Sequence, residues 1–65
     1  MSETVKIWLN KLYDNEIRET EGAIENEEIW AKGADTEEQE AMHRNNISDL
    51  KEYKDVLSQE KAKIN

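Results

Sequence analysis

Apolar residues recur every three or four positions along most of the chain, which is the spacing of an amphipathic α-helix. The first run comprises Val5, Trp8, Leu9, Leu12, Tyr13, Ile17, Ile24, Trp30 and Ala31. The second run comprises Met42, Ile47, Leu50, Tyr53, Val56, Leu57 and Ile64. The chain has no proline and only two glycines, so few residues oppose a helix. The pattern predicts one all-α domain with helices over about residues 3–32 and 36–63.

The segment between the two runs has the residues of a helix end followed by a helix start. Lys32 suits the negative end of the helix dipole, and Gly33 suits a left-handed position just beyond the helix. Thr36 and Gln39 have the three-residue spacing of a capping box. We therefore expect a tight turn at residues 33–35. At the other end of the first helix, Ser2 is the expected N-cap.

A link this short folds two long helices into an antiparallel hairpin. The apolar residues of the first helix cover an arc of about 180°, which is wider than a single neighbouring helix can cover. We expect a second hairpin to cover the remainder, giving a homodimeric four-helix bundle. The expected interface residues are Trp8, Leu12, Tyr13, Ile17, Ile24, Trp30, Leu50, Tyr53 and Leu57.

The charge of the chain limits its partners. It has 65 residues with a net charge of -7, and residues 14–40 carry eleven Asp or Glu against only Arg18 and Lys32. Such a molecule repels nucleic acid and anionic lipid, so a basic host protein is the better candidate partner. Placing the two turns at opposite ends of the dimer sets each acidic turn beside the more basic chain termini. With no cysteine, signal peptide or membrane-spanning run, the cytoplasm is the expected location.

Glu40-Ala41-Met42-His43 has the spacing found in carboxylate-bridged metal sites of helical bundles. Glu40 points about 120° away from the apolar centre of its helix, so we interpret it as a surface residue paired with Arg44 and His43 as an exposed histidine. We expect no metal and no other cofactor. A catalytic set is also not expected, because the chain has a single histidine, no cysteine and no glycine-rich phosphate loop.

Three further features allow two interpretations each. Asn46 lies in the centre of the second apolar stripe, and it either fixes the register of a buried seam or marks loose packing near the turn. Trp8 and Trp30 share one shoulder of the first helix, as dimer contacts or as a docking site for another protein. A basic strip along the second helix is either solvated or contacts RNA; it comprises Arg44, Lys51, Lys54 and Lys61.

The stretch IENEEIWAKGADTEEQEAMHRNNISDLKEYKDVL, residues 24–57, resembles uncharacterised short proteins encoded by phages and prophages of Gram-positive bacteria. The shared features are an acidic helix ending in Trp, a Gly-Ala-Asp-Thr turn, Glu-Gln, a Met-His pair and a closing Tyr. This resemblance implies a helical hairpin and carries no function. In length and layout the chain is also similar to the plasmid RNA-binding protein Rop, a dimer of hairpins, although fold does not imply function.

From the sequence we expect a non-enzymatic interaction protein that forms a homodimer. Its expected role is that of a phage-encoded regulator or inhibitor of a host protein. The alternative is a Rop-like RNA-binding adaptor that uses the basic strip of the second helix.

Overall fold

The chain folds into two long helices that run side by side in opposite directions. The computed structural model describes residues 1–64, with α1 spanning Glu3–Lys32 and α2 spanning Glu37–Ile64. The Cα atoms extend over 51 × 14 × 9 Å, so the molecule is a rod one hairpin thick. The predicted all-helical hairpin is confirmed.

Ser2 starts α1 as predicted. Its backbone is extended, with φ -69° and ψ 156°, and its hydroxyl oxygen accepts a hydrogen bond from the Val5 amide at 3.1 Å. The Lys6 amide donates to the Ser2 carbonyl at 3.0 Å, which closes the first turn. Glu3 adds a negative charge where the helix dipole is positive.

The end of α1 differs from the prediction, because Gly33 is not left-handed. Its φ is -93° and its ψ is 7°, and no residue among 1–64 has a positive φ. The Gly33 amide donates to the Ile29 carbonyl at 3.1 Å, and the Ala34 amide donates to the Ala31 carbonyl at 3.4 Å. The helix therefore ends with a hydrogen bond between residues three positions apart, from Ala34 to Ala31. This ending does not require a left-handed residue at position 33.

The start of α2 contains the predicted capping contacts with one change of partner. The Thr36 hydroxyl accepts from the Gln39 amide at 3.1 Å. The Gln39 side-chain oxygen accepts in turn from the amide of Asp35, also at 3.1 Å, whereas a standard capping box returns to the cap residue itself. Both ends of the link are thus held by local hydrogen bonds.

The seam between the helices is narrow. Five side chains within residues 1–64 are buried, and the most exposed of them retain 8% of their surface: Thr20, Ile24, Ala31, Ile47 and Leu57. Thr20 is tolerated there because its hydroxyl donates to the Glu16 carbonyl of its own helix at 2.7 Å. Of the nine apolar residues in the first run, four remain exposed: Val5, Trp8, Leu12 and Trp30.

Candidate interaction surface

One flank of the seam forms a surface that we term the apolar face. Because an α-helix turns about 100° per residue, four exposed apolar residues of α1 fall on one shoulder beside the seam, namely Val5, Trp8, Leu12 and Trp30, whereas the exposed Ile7 and Ile29 lie elsewhere on the helix. Leu12 and Tyr53 line the same depression, so the exposed apolar shoulder of α2 lies on the same side. The apolar face comprises Val5, Trp8, Leu12, Trp30, Met42, Tyr53 and Val56, all of them exposed.

The opposite flank, which we term the charged face, consists of ionised side chains from both helices. Lys61 Nζ lies 2.6 Å from Asp14 Oδ1, and Lys54 Nζ lies 3.6 Å from Glu21 Oε2. A depression on this flank is lined by Glu21, Ile24, Glu25, Lys51, Lys54 and Asp55. Two lysines of the charged face therefore have carboxylate partners on the neighbouring helix of the same hairpin.

The residues predicted for the interface occupy three environments. Trp8, Leu12 and Trp30 are more than half exposed, at 65%, 63% and 53%. Tyr53 is also exposed, at 43%. The remaining five lie closer to the seam, half-buried or buried: Tyr13, Ile17, Ile24, Leu50 and Leu57. Ile24 and Leu57, each 8% exposed, are occupied by contacts within the hairpin itself.

Three exposed residues of the apolar face were outside the predicted interface set: Val5, Met42 and Val56. Each belongs to one of the apolar runs of the sequence, so the spacing signal was available. The spacing does not reveal which part of a wide stripe the neighbouring helix covers. These three residues could therefore be distinguished from seam residues only once the seam had been located.

The turn end of the seam contains a polar cluster around Glu27. His43 Nδ1 donates to Glu27 Oε2 at 2.6 Å, since a carboxylate can only accept, and Asn46 Nδ2 donates to Glu27 Oε1 at 3.4 Å. The Trp30 ring lies 5.9 Å from the His43 ring, tilted by 49°. Asn46, at the centre of the α2 stripe, is half-buried. Its hydrogen bond to Glu27 connects α2 to α1.

This cluster corrects the prediction of an exposed histidine. The His43 side chain retains 19% of its surface, because the antiparallel register places Glu27 and Trp30 beside it. Glu40 is on the surface as predicted, with Arg44 Nη2 3.5 Å from Glu40 Oε2. Glu40 and His43 therefore have different partners. No group of three or more His, Asp or Glu side chains within residues 1–64 is placed to hold a metal ion.

One polar contact crosses the seam on the apolar face. The Tyr53 hydroxyl donates to Glu16 Oε1 at 3.0 Å. This hydrogen bond raises the pKa of Tyr53 above its ordinary value of 10.0, with smaller contributions from desolvation and from the charge of Glu16. The contact ties the phenol of α2 to α1.

The basic strip of α2 is largely engaged with carboxylates. Arg44 faces Glu40, and the two lysines at 54 and 61 face the acidic side chains of α1 described above. Three of the four cations predicted as an RNA-contacting strip therefore lie within 4 Å of a carboxylate oxygen. A phosphate would have to displace these contacts.

The hairpin exposes more surface than a globular protein of its size. Its solvent-accessible area is 5007 Å² for a mass of 7.6 kDa. A typical folded monomer of that mass exposes about 4,300 Å². The excess of about 700 Å² is close to the roughly 800 Å² that each partner buries in a standard protein interface.

Comparison with known proteins identifies no relative: no protein-family model, curated protein or solved structure matches this chain. Neither helix, over residues 1–64, is long and apolar enough to cross a lipid bilayer.

Proposed function

We propose that this chain is a small, acidic, non-enzymatic interaction protein that works as a homodimer. Two hairpins pack apolar face against apolar face into a four-helix bundle, and the acidic outer surface of the bundle binds a basic protein of the host cell. In this proposal the protein is a regulator or inhibitor of that host protein, encoded by a phage.

The exposure of the apolar face carries the proposal. Monomeric soluble proteins rarely expose large apolar patches, and each of the seven residues of the apolar face is more than a third exposed. Large aromatic residues are the side chains that most often anchor protein interfaces, and two tryptophans lie on this strip. In a two-fold dimer the same face of each copy packs against the other, so the two surfaces match in length and chemistry. A second copy can therefore cover the apolar face.

The outer surface of such a dimer suits a basic partner. Each chain contributes a net charge of -7, and the dimer doubles it. Negative potential steers a positively charged protein towards the bundle and repels RNA. The pairing of the α2 cations with carboxylates makes the RNA-binding adaptor the weaker of the two functions.

Sedimentation equilibrium at micromolar concentration tests self-association. The expected mass is twice 7.6 kDa. Leu12→Glu should convert the protein to a monomer, because it places a charge in the centre of the buried face. Ile7→Glu is the matched control and should leave the mass unchanged, since Ile7 is 53% exposed but lies about 140° around the same helix from Leu12, off the apolar face.

A wild-type chain that sediments as a compact monomer would refute the dimer. For the second part of the proposal, capture of a host protein should weaken as the salt concentration rises, because the attraction is between exposed charges. Retention of structured RNA at low salt, lost in Lys51→Glu, would favour the adaptor function instead.

A further inference from the structure

The apolar face has a groove at its turn end. This turn-end groove is lined by Ile29, Trp30, Gly33, Ala34, Gln39, Met42 and His43. One wall is fixed by the contact of the Trp30 ring with the His43 ring, and His43 is held in turn by Glu27. Trp30 and His43 therefore form one side of the groove, and their positions are set by contacts within the hairpin. Met42 contributes a flexible apolar side chain to the groove.

The opposite end of the apolar face carries a projecting strip of α1, which we term the amino-terminal strip: Val5 and Trp8. Val5 and Trp30 lie about 19 Å on either side of the midpoint of α1, at 1.5 Å per residue. They also project from the same shoulder of the helix. A two-fold axis through that midpoint therefore brings the Val5 of one copy level with the Trp30 of the other.

Charge favours the same arrangement. Residues 33–40 carry four acidic side chains and no basic one. Residues 1–12 and 58–64 each carry two lysines against one glutamate. A dimer with its turns at opposite ends sets each acidic turn beside a basic end, whereas a dimer with its turns together stacks like charges.

We propose, building on the homodimer of the preceding section, that the turn-end groove of each hairpin receives the amino-terminal strip of a second copy. The Trp8 indole of one chain packs against Trp30 and Met42 of its partner, and the dimer holds two such sites related by the two-fold axis. Each groove is incomplete until the partner fills it.

Single-cysteine variants test this placement, because the natural chain has no cysteine. Val5→Cys and Met42→Cys place a thiol at the strip and at the groove, on exposed residues whose replacement leaves the seam intact. A short bismaleimide is the suitable linker, since neighbouring helices lie about 8–10 Å apart and a direct disulfide requires a closer approach. Ile7→Cys replaces Val5→Cys in the control mixture.

Equimolar Val5→Cys and Met42→Cys, mixed and allowed to exchange chains, should give a crosslinked heterodimer in excess over both homotypic products. Each variant alone, and the Ile7→Cys mixture, should give little product. A second pair, Leu12→Cys with Ala23→Cys, lies at matching distances from the midpoint of α1 and should behave as the first pair does.

Each other outcome has a distinct meaning. Strong homotypic products from Val5→Cys alone and Met42→Cys alone would place the turns at the same end, which overturns this inference and leaves the homodimer standing. Crosslinking no greater than in the Ile7→Cys control, in a chain that sediments as a monomer, overturns the homodimer as well. A dimer by sedimentation with no product from either cysteine pair overturns the inference alone.

Discussion

The two faces of the hairpin flank the same seam and are built by the same two helices, yet they differ in how far one chain can satisfy them. On the charged face, lysines of α2 extend across the seam to carboxylates of α1, as in the 2.6 Å contact of Lys61 with Asp14. On the apolar face, Trp8 and Leu12 point away from the seam, and both remain more than half exposed.

The difference follows from the reach of the side chains. A long charged side chain can bend over a neighbouring helix and keep its head in water, so two helices are enough to pair it. An apolar side chain that projects sideways from the seam is removed from water only when a third or fourth helix lies over it. A two-helix hairpin can therefore form ion pairs across its seam, as at Lys54 and Lys61, and still lack the cover that its apolar face requires.

The largest effect is expected on the apolar face. Trp8→Ala should raise the dissociation constant of the dimer at least about 30-fold, since truncating an aromatic anchor typically costs about 2 kcal/mol or more. Analytical ultracentrifugation over a dilution series measures this change. Ile7→Ala, on the same helix but off the apolar face, should change the dissociation constant little. Equal effects of the two variants would contradict the assigned difference between the faces.

Within the seam, Glu27→Ala should lower the free energy of unfolding by about 1–3 kcal/mol, because His43 and Asn46 would lose their shared acceptor while half-buried. Urea denaturation at one fixed protein concentration measures the loss, since the stability of a dimer depends on concentration. Glu25→Ala is the control, an exposed position of the same helix where a change within about 0.5 kcal/mol is expected. Equal losses in both variants would contradict the assigned role of Glu27.

The charged face should contribute less. Lys61→Ala removes the 2.6 Å contact with Asp14 and should cost about 0–1 kcal/mol of stability, an effect that shrinks as salt is added because the two side chains keep 32% and 49% of their surface in water. Lys63→Ala is the matched control, since Lys63 pairs with Glu60 within α2. A loss of unfolding free energy as large as that of Glu27→Ala would contradict the smaller contribution expected of the charged face.

The smallest effect concerns pH. The pKa of Tyr53 is raised in the folded state by its hydrogen bond to Glu16, so its contribution is complete below the ordinary pKa of 10.0 and is lost as the pH rises through the raised value. The urea midpoint should therefore fall more steeply between about pH 9 and 11 in the wild type than in Tyr53→Phe. Equal slopes would show that the contact with Glu16 does not stabilise the fold.

The helical content of the hairpin could be read from the sequence because it depends on local features. The three-to-four-residue spacing of apolar positions and the scarcity of helix-breaking residues predicted two helices, and the capping side chains of Ser2 and Thr36 act within one turn of their own positions. Gly33 shows the limit of such cues. A glycine permits a left-handed turn and does not require one, and here the helix closes with a right-handed residue.

The packing of α2 against α1 determines which part of the wide apolar arc of α1 lies in the seam. Periodicity fixes the direction of each side chain relative to its own helix and leaves open the rotation of one helix against the other. That rotation buried Thr20, brought His43 and Asn46 onto Glu27, and left Trp8 and Trp30 in water. The position of the seam depends on residues of both helices, including the polar contacts of His43 and Asn46 with Glu27. It therefore cannot be read from the periodicity of either helix alone.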